Sequence, residues 1–188
     1  ENWLQVKSVI GVWKANSDED DIILKNEKDE IIERFCTLRQ QSIKSNNNLA
    51  LSDYIAPQES AIQDHIGAFV CTAGLGIENQ ILVFEKEYDD YNIILLKAIA
   101  DRLAEALTEY MHEKIRKEIW GYSSDEVFSN NDLIDEKYNG IRPAPGYTAC
   151  PDHTEKLKIF KLLNAEKNIG VSLTESMAML PNSSVSGY

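Results

Sequence analysis

The sequence lacks the features that mark several large classes of protein. It has three cysteines, Cys36, Cys71 and Cys150. They are too few, and odd in number, for a disulfide scaffold, and they lack the CxxC spacing of a zinc site. No apolar run approaches the ~18 residues of a membrane span, and no signal peptide opens the chain. These absences predict a protein of the reducing cytoplasm with no membrane partner.

Positive charge is also scarce. Against 31 Asp and Glu residues there are 19 Lys and Arg, which gives a formal charge of −12. Because neutralising phosphate groups requires clustered basic side chains, this balance predicts that nucleic acid is not a partner. The 188 residues, 43% of them hydrophobic, are enough for one buried core, so we expect a single domain over residues 1–188.

Apolar and β-branched segments predict strands. Val6–Lys14 and Asp21–Lys25, separated by a polar turn at residues 16–20, are typical of a hairpin. Further strands are predicted at residues 31–35, 66–72 and 171–180.

The strongest helical signal runs from Asp89 to Trp120. Its large apolar side chains recur at spacings of three and four, which predicts that they form the buried face: Leu96, Ile99, Leu103, Leu107, Tyr110, Met111 and Ile115. Shorter helices are predicted at residues 37–44, 77–88, 131–138 and 154–168, and a loop at 45–48. Early hairpins followed by long helices indicate an α+β fold.

One side of the long helix carries Asp101, Glu105, Glu109 and His112. Glu109 and His112 match half of the Glu-x-x-His arrangement of di-iron bundles, but the sequence has no second copy. Three interpretations stay open: a metal site, a solvated acidic face, or an acidic surface presented to a ligand or a partner domain.

Motifs for covalent and phosphate chemistry are missing. The sequence contains no GxSxG, P-loop or HExxH motif. The glycines of Gly74-Leu75-Gly76 have the spacing that opens a dinucleotide-binding loop but lack the third glycine, so we interpret them as a strand-to-helix turn. We interpret Cys150 as a small buried residue, and His65 and His153 as packing or capping residues. These motifs therefore identify no catalytic residue and no metal ligand.

The loop GIRPAPGY at residues 140–147 is unusual. Its two prolines fix φ and suppress helix, while Gly146 permits a conformation or a close approach that a side chain forbids. Arg142 offers a fork for a carboxylate, and Tyr147 offers an aromatic face with a hydroxyl. The loop suits a zwitterionic or sulfonium ligand with an aromatic ring, and it is equally typical of a rigid linker with a surface arginine.

The stretch YNGIRPAPGYTACPDHTEK at residues 138–156 resembles the signature of the S-adenosylmethionine-binding reactivation domain of cobalamin-dependent methionine synthase. Other stretches agree with that family: residues 9–22, HIGAFVCTAG at 65–74, residues 89–122 and LTESMAMLPNSSVSGY at 173–188. The resemblance covers nearly the whole chain.

This resemblance implies a fold and a set of binding residues. The fold is α+β, with a curved, mostly antiparallel sheet and surrounding helices, one of them long, near residues 89–120. The family's Arg-x-x-x-Gly-Tyr signature binds S-adenosylmethionine, and the resemblance implies these ligand contacts: Arg142, Ala144, Gly146, Tyr147, Glu105 and Glu136. The two glutamates are expected to face the ligand's ammonium group or its ribose.

The resemblance also implies a role within a larger enzyme. The parent enzyme moves a methyl group from methyltetrahydrofolate to homocysteine through cobalamin, and occasional oxidation leaves inactive cob(II)alamin. The reactivation domain then caps the cobalamin-binding domain and supplies methyl from S-adenosylmethionine, while a flavodoxin-type reductant supplies one electron. Zinc is expected only in the homocysteine domain of the parent enzyme.

Two acidic residues are expected to face the cobalamin-binding domain. Asp101 matches one family position on that side. Glu78 is the acid nearest to a second position, where this chain has Ile77.

The family's domain extends beyond both ends of this sequence, so residues 1–188 are expected to be a truncated domain. The alternative is a degenerate scaffold or interaction module that keeps the fold without binding the ligand. Because flavodoxins are acidic, such a reductant is expected to dock near Lys114, Arg116 and Lys117 or on another domain.

Overall fold

The computed structural model of the chain describes residues 3–41 and 47–188. At its centre is an antiparallel sheet with the strand order β3-β2-β1-β4-β7. Its strands are β1 (Gln5–Asp18), β2 (Asp21–Lys25), β3 (Ile31–Cys36), β4 (Asp64–Leu75) and β7 (Ser184–Gly187). A separate two-stranded ribbon pairs β5 (Ser172–Leu173) with β6 (Met179–Leu180).

The helices follow β4 in the chain. They are α1 (Ile77–Lys86), α2 (Asp90–Lys114), α3 (Asn130–Ile134), α4 (Glu155–Leu163) and α5 (Ala165–Ile169). The antiparallel sheet and the long helix confirm the predicted α+β class.

The predicted hairpin is present, but its turn is shorter than expected. Glu19, at φ 54°, and Asp20 make the turn, so β1 continues through the polar residues 16–18. Polar side chains stay in the strand because they have partners there. Asn16 donates to the carbonyl of Ile62 at 2.8 Å, and Ser17 donates to the carbonyl of Ile55 at 3.0 Å.

The main core lies on one face of the sheet. Alternate residues of β4, namely Ile66, Ala68 and Val70, point into it, as the two-residue period of a strand requires. The core is closed by α4, α5 and the last residue of the chain, through Ile159, Leu163, Ala165, Ile169 and Tyr188.

Helix α2 packs against β4 through small side chains. Its buried residues are Leu96, Ala100, Ala104, Thr108 and His112. The predicted buried face is therefore wrong in part, because Ile99, Leu103 and Tyr110 are 43%, 39% and 58% exposed. Alanine and threonine let the helix backbone approach the strand closely, and the larger apolar side chains are left at the edge of the contact.

Beyond α2 the helix continues as a π-helical turn, Ile115–Ile119, in which the Trp120 amide donates to the carbonyl of Ile115 at 2.9 Å. Arg116 in this turn is 1% exposed, and its Nη2 donates to Oε1 of Glu126 at 2.7 Å. The expectation that Arg116 belongs to a reductant-docking surface is wrong, because this ion pair is buried.

The C-terminal third departs furthest from the predicted elements. The predicted helix at residues 154–168 breaks at Asn164, which has φ 47°, and so divides into α4 and α5. The predicted strand at 171–180 is wrong, since only its two ends are extended and they pair with each other. The strand that joins the main sheet is β7, whose serine-rich sequence has no apolar alternation.

Two further predictions concern shorter segments. Helix α3 ends at Ile134 rather than at Tyr138. Residues 37–41 are irregular rather than helical, and residues 42–46, which complete the predicted helix and begin the predicted loop, lie outside the described residues.

We expect Glu126→Ala to lower the free energy of unfolding by about 3–5 kcal/mol, because it leaves the Arg116 guanidinium buried and unpaired. Urea unfolding at neutral pH measures this. Glu118→Ala is the matched control: it breaks an exposed pair with Lys114 at 3.7 Å and should cost less than about 1 kcal/mol. Equal losses in the two variants would contradict the assignment of Arg116 and Glu126 as a buried structural pair.

Candidate functional site

The segment between α3 and α4 carries the predicted binding loop. Contacts of aromatic side chains hold the first residues of this loop in place. Tyr138 is 9% exposed. The Cζ atom of Arg116 lies 4.3 Å from the centroid of the Tyr138 ring, a cation–π contact, and the His112 ring meets the same ring edge-on at 5.0 Å. The Tyr122 hydroxyl donates to the Asn139 carbonyl at 3.2 Å. These contacts anchor the beginning of the loop against the end of α2 and the π-helical turn that follows it.

Strand β7 holds the middle of the loop. The Tyr188 amide donates to the Pro143 carbonyl at 2.9 Å. A Cβ on Gly187 would lie 2.6 Å from that carbonyl oxygen, so glycine is required for this approach. Strand β7, which the sequence did not predict, thus connects the loop to the sheet.

The end of the loop depends on Gly146. Its φ of +98° is unfavourable for residues with a side chain, and its amide donates to the Cys150 carbonyl at 2.8 Å. A Cβ at this position would also lie 2.0 Å from Cε1 of His153. The sequence expectation of a conformation that only glycine tolerates is confirmed.

Arg142 lies between this loop and α2. Its Nη2 donates to Oε1 of Glu109, and its Nη1 lies 3.4 Å from Nδ1 of His112. Burial alone would lower the pKa of Arg142, but the Glu109 carboxylate raises the pKa above its ordinary value. In turn, the guanidinium holds the pKa of Glu109 below its ordinary value.

His112 is neutral at physiological pH. Burial, followed by the cations Arg116 and Arg142, lowers the pKa of His112 to about 4. Because a guanidinium can only donate, Nδ1 of His112 accepts from Arg142, and the ring proton resides on Nε2.

A cavity of about 370 Å³ lies between β4, the end of α2 and the loop. Arg142 and His112 form a polar part of its wall. The rest is largely apolar and aromatic, with residues that include Tyr54, Ile66, Phe69, Met111, Ile115, Trp120, Tyr122, Ile141 and Tyr188. A largely apolar cavity of this size with a few polar groups fits a drug-sized organic ligand.

The other predicted ligand contacts do not line this cavity. Ala144 accepts a hydrogen bond from the Tyr147 amide at 3.3 Å, and the Tyr147 side chain is 72% exposed. Glu136 is exposed and close enough to contribute to the raised pKa of Arg142. Glu105 is exposed and pairs with Arg102 at 3.0 Å. These contacts stay predictions.

The two residues predicted to face a cobalamin-binding domain lie near the β4–α1 turn. Asp101 accepts a hydrogen bond from Oγ of Ser183 at 2.6 Å. Ser183 in turn packs beside Gly74, since a Cβ on that glycine would lie 3.4 Å from the Ser183 Cβ. Glu78 is exposed in the first turn of α1. Gly76, at φ 86°, begins that helix, which confirms the predicted strand-to-helix turn.

Sequence reasoning missed the contact between Arg142 and α2. Glu109 and His112 were noticed as a possible half of a metal site, and the structure brings both of them to the guanidinium instead. Their spacing of three residues was the available signal, because it places both side chains on one side of a helix.

The two fully buried cysteines have unreactive thiols. Burial raises the pKa of the Cys71 and Cys150 thiols to about 11, so neither is a nucleophile at neutral pH.

Within residues 3–41 and 47–188, no group of three or more His, Cys, Asp or Glu side chains is placed to hold a metal ion. In the same residues, no helix combines the length and the apolar character needed to span a bilayer.

Comparisons with known proteins agree on one family. A family model described as "Vitamin B12 dependent methionine synthase, activation domain" matches residues 1–188. A solved structure described as "Crystal Structure of the MetH Reactivation Domain bound to AdoHcy" is similar, with 49% sequence identity and a TM-score of 0.94. The match covers 99% of this chain and 58% of that one, so this chain spans less than two thirds of the length of its structural relative.

The lowered pKa of His112 predicts a pH dependence of stability. Below its ordinary pKa of about 6.5, unfolded His112 binds a proton that the folded protein does not bind until about pH 4. The free energy of unfolding should therefore fall by about 3 kcal/mol between these pH values on account of His112 alone. Urea unfolding from pH 8 to pH 4 measures the slope, and His112→Gln should make it shallower. Parallel slopes in the two proteins would contradict the burial of a neutral histidine here.

Proposed function

The chain belongs to the vitamin B12 dependent methionine synthase activation domain family, and on that premise we propose that it binds S-adenosylmethionine as the methyl donor that reactivates the synthase. The observation that carries the proposal is the placement of Arg142. A half-buried guanidinium stands at the wall of a cavity of about 370 Å³, on a loop fixed by glycine geometry, aromatic contacts and strand β7. The relative's bound AdoHcy, S-adenosylhomocysteine, is the demethylated form of this donor.

The proposed ligand has a carboxylate, an ammonium group, a sulfonium centre and an adenosine. Arg142 takes the carboxylate, because a planar guanidinium matches the two oxygens of a carboxylate. Glu105 and Glu136 supply negative charge for the ammonium group or hydrogen-bond acceptors for the ribose hydroxyls. The backbone at Ala144 and Gly146 and the exposed ring of Tyr147 complete the surface.

The residues of this chain bind and orient the methyl donor. Positioning supplies much of the catalytic effect in a group transfer between two bound molecules, so no general acid or base is assigned. Cobalamin supplies the methyl acceptor. The cavity described above is far too small for a corrin ring with its nucleotide loop, which supports cobalamin being carried by another domain.

The proposal includes partners beyond this chain. Asp101 and Glu78 face the cobalamin-binding domain, and a flavodoxin-type reductant supplies one electron. Lys114 and Lys117 are partly exposed and remain candidates for contact with an acidic reductant. The parent enzyme is cytoplasmic, and its zinc lies in the homocysteine domain.

A degenerate scaffold without ligand binding is the alternative. It is less favoured, because the residues of the Arg-x-x-x-Gly-Tyr signature are all present and Gly146 keeps its unusual φ of +98°. A scaffold released from ligand binding would have no need of a guanidinium at a cavity wall.

Isothermal titration calorimetry with S-adenosylmethionine tests the proposal. We expect Arg142→Ala to weaken binding by about 1.5–3 kcal/mol, roughly 10- to 150-fold, because a charged hydrogen bond to the carboxylate is lost. Arg34→Ala is the control, since it also removes one positive charge, from an exposed cluster with Asp18 and Asp21.

Because the relative is longer, the titration should include both this segment and a polypeptide extended at both ends. An unchanged dissociation constant in Arg142→Ala would refute the role given to Arg142. Absence of binding by both lengths of the unmutated protein would favour the degenerate scaffold.

A further inference from the structure

We propose that Glu109 is a positioning residue that, with His112, holds the Arg142 guanidinium in the orientation that receives the ligand's carboxylate. This inference rests on the proposed function. It also explains the Glu-x-x-His pair on α2, which the function described above leaves without a role.

The geometry fixes the guanidinium at two different nitrogens. Nη2 of Arg142 donates to Oε1 of Glu109, and Nη1 lies 3.4 Å from Nδ1 of His112. Because the two partners sit three residues apart on one helix, they form a rigid pair of acceptors. A guanidinium held at two nitrogens cannot rotate freely about its side-chain bonds.

The two acceptors differ in charge, and this difference gives them different roles. Glu109 brings the negative charge that compensates a half-buried cation, and its own side chain is 45% exposed. His112 is buried and neutral, so it orients Nη1 without adding charge. We therefore assign charge compensation to Glu109, and orientation to both residues.

The guanidinium keeps donors for a ligand. Arg142 has five N–H groups, and the two acceptors engage only one on each terminal nitrogen. The side chain of Arg142 is 21% exposed, so part of it faces the cavity and solvent. A carboxylate can bind the remaining N–H groups while Glu109 stays in place.

A comparison of two ligands tests this proposal, since only one of them has the carboxylate that Arg142 is proposed to bind. S-adenosylhomocysteine carries the carboxylate and the ammonium group, whereas 5′-methylthioadenosine carries neither. Each is titrated calorimetrically into the unmutated protein and into Glu109→Ala, Glu109→Gln and Glu113→Ala. Glu113 is a matched control, since it lies on the same helix in an exposed pair with Lys117 at 3.4 Å.

We expect Glu109→Ala to weaken S-adenosylhomocysteine binding about tenfold and to leave 5′-methylthioadenosine binding unchanged, because only the first ligand needs an oriented Arg142. Glu109→Gln should recover most of the affinity, since its amide oxygen still accepts from Nη2. Glu113→Ala should bind both ligands like the unmutated protein. Unchanged affinity for S-adenosylhomocysteine in Glu109→Ala, or an equal loss for both ligands, would overturn the proposal.

A second measurement needs no ligand. Nuclear magnetic resonance of the Arg142 Nη–Hη groups, which contact Glu109 and His112, reports whether the guanidinium is held. We expect exchange of these protons with solvent to be slow in the unmutated protein and fast in Glu109→Ala. If this change occurs but S-adenosylhomocysteine does not bind, Glu109 does position Arg142 and the proposed function fails. If exchange is equally fast or equally slow in both proteins, the positioning role fails.

Discussion

Two guanidinium groups lie close to His112 at the end of α2, and the packing of the site depends on each having its own carboxylate. Arg116 has Glu126, and Arg142 has Glu109. Burial, followed by these two cations, keeps His112 neutral, while each carboxylate compensates the charge of its own arginine. The predicted binding loop is therefore held in place by contacts within the chain, which lowers the entropic cost of the proposed ligand binding.

The same constraint gives the acidic composition a more specific meaning. Of the 31 acidic residues behind the net charge of −12, Glu109 and Glu126 have structural duties that composition alone does not reveal. Others pair with arginine on the surface, as Asp20 and Asp53 do with Arg39. Several of the acidic side chains are thus paired with arginines, and two of these arginines, Arg116 and Arg142, lie at the candidate site.

The sequence was sufficient for the elements with a clear period and insufficient for those held by tertiary contacts. Alternation predicted the β1–β2 hairpin, and helical spacing predicted the existence of α2. The buried face of α2 was predicted wrongly in part, because the small side chains of Ala100, Ala104 and Thr108 form the contact with β4 in place of larger apolar ones. Strand β7 was missed for a related reason, since its pairing with β4, and not its serine-rich sequence, keeps it extended.

The candidate site shows the same division. The unusual loop composition pointed to Arg142 and Gly146, and the structure gives both of them specific environments. That the guanidinium already has a carboxylate partner could not be predicted, because Glu109 is 33 residues away in the chain and the contact depends on the π-helical turn and on β7.

The most direct test of the central claim, that the loop held by α2 and β7 is the ligand-binding element, is hydrogen–deuterium exchange with and without S-adenosylhomocysteine. On this claim, the ligand slows exchange of the amides at residues 138–150, where the Gly146 amide already donates to the Cys150 carbonyl, and leaves the distant β2–β3 hairpin unchanged. Binding of the ligand with unchanged exchange at residues 138–150 would contradict it.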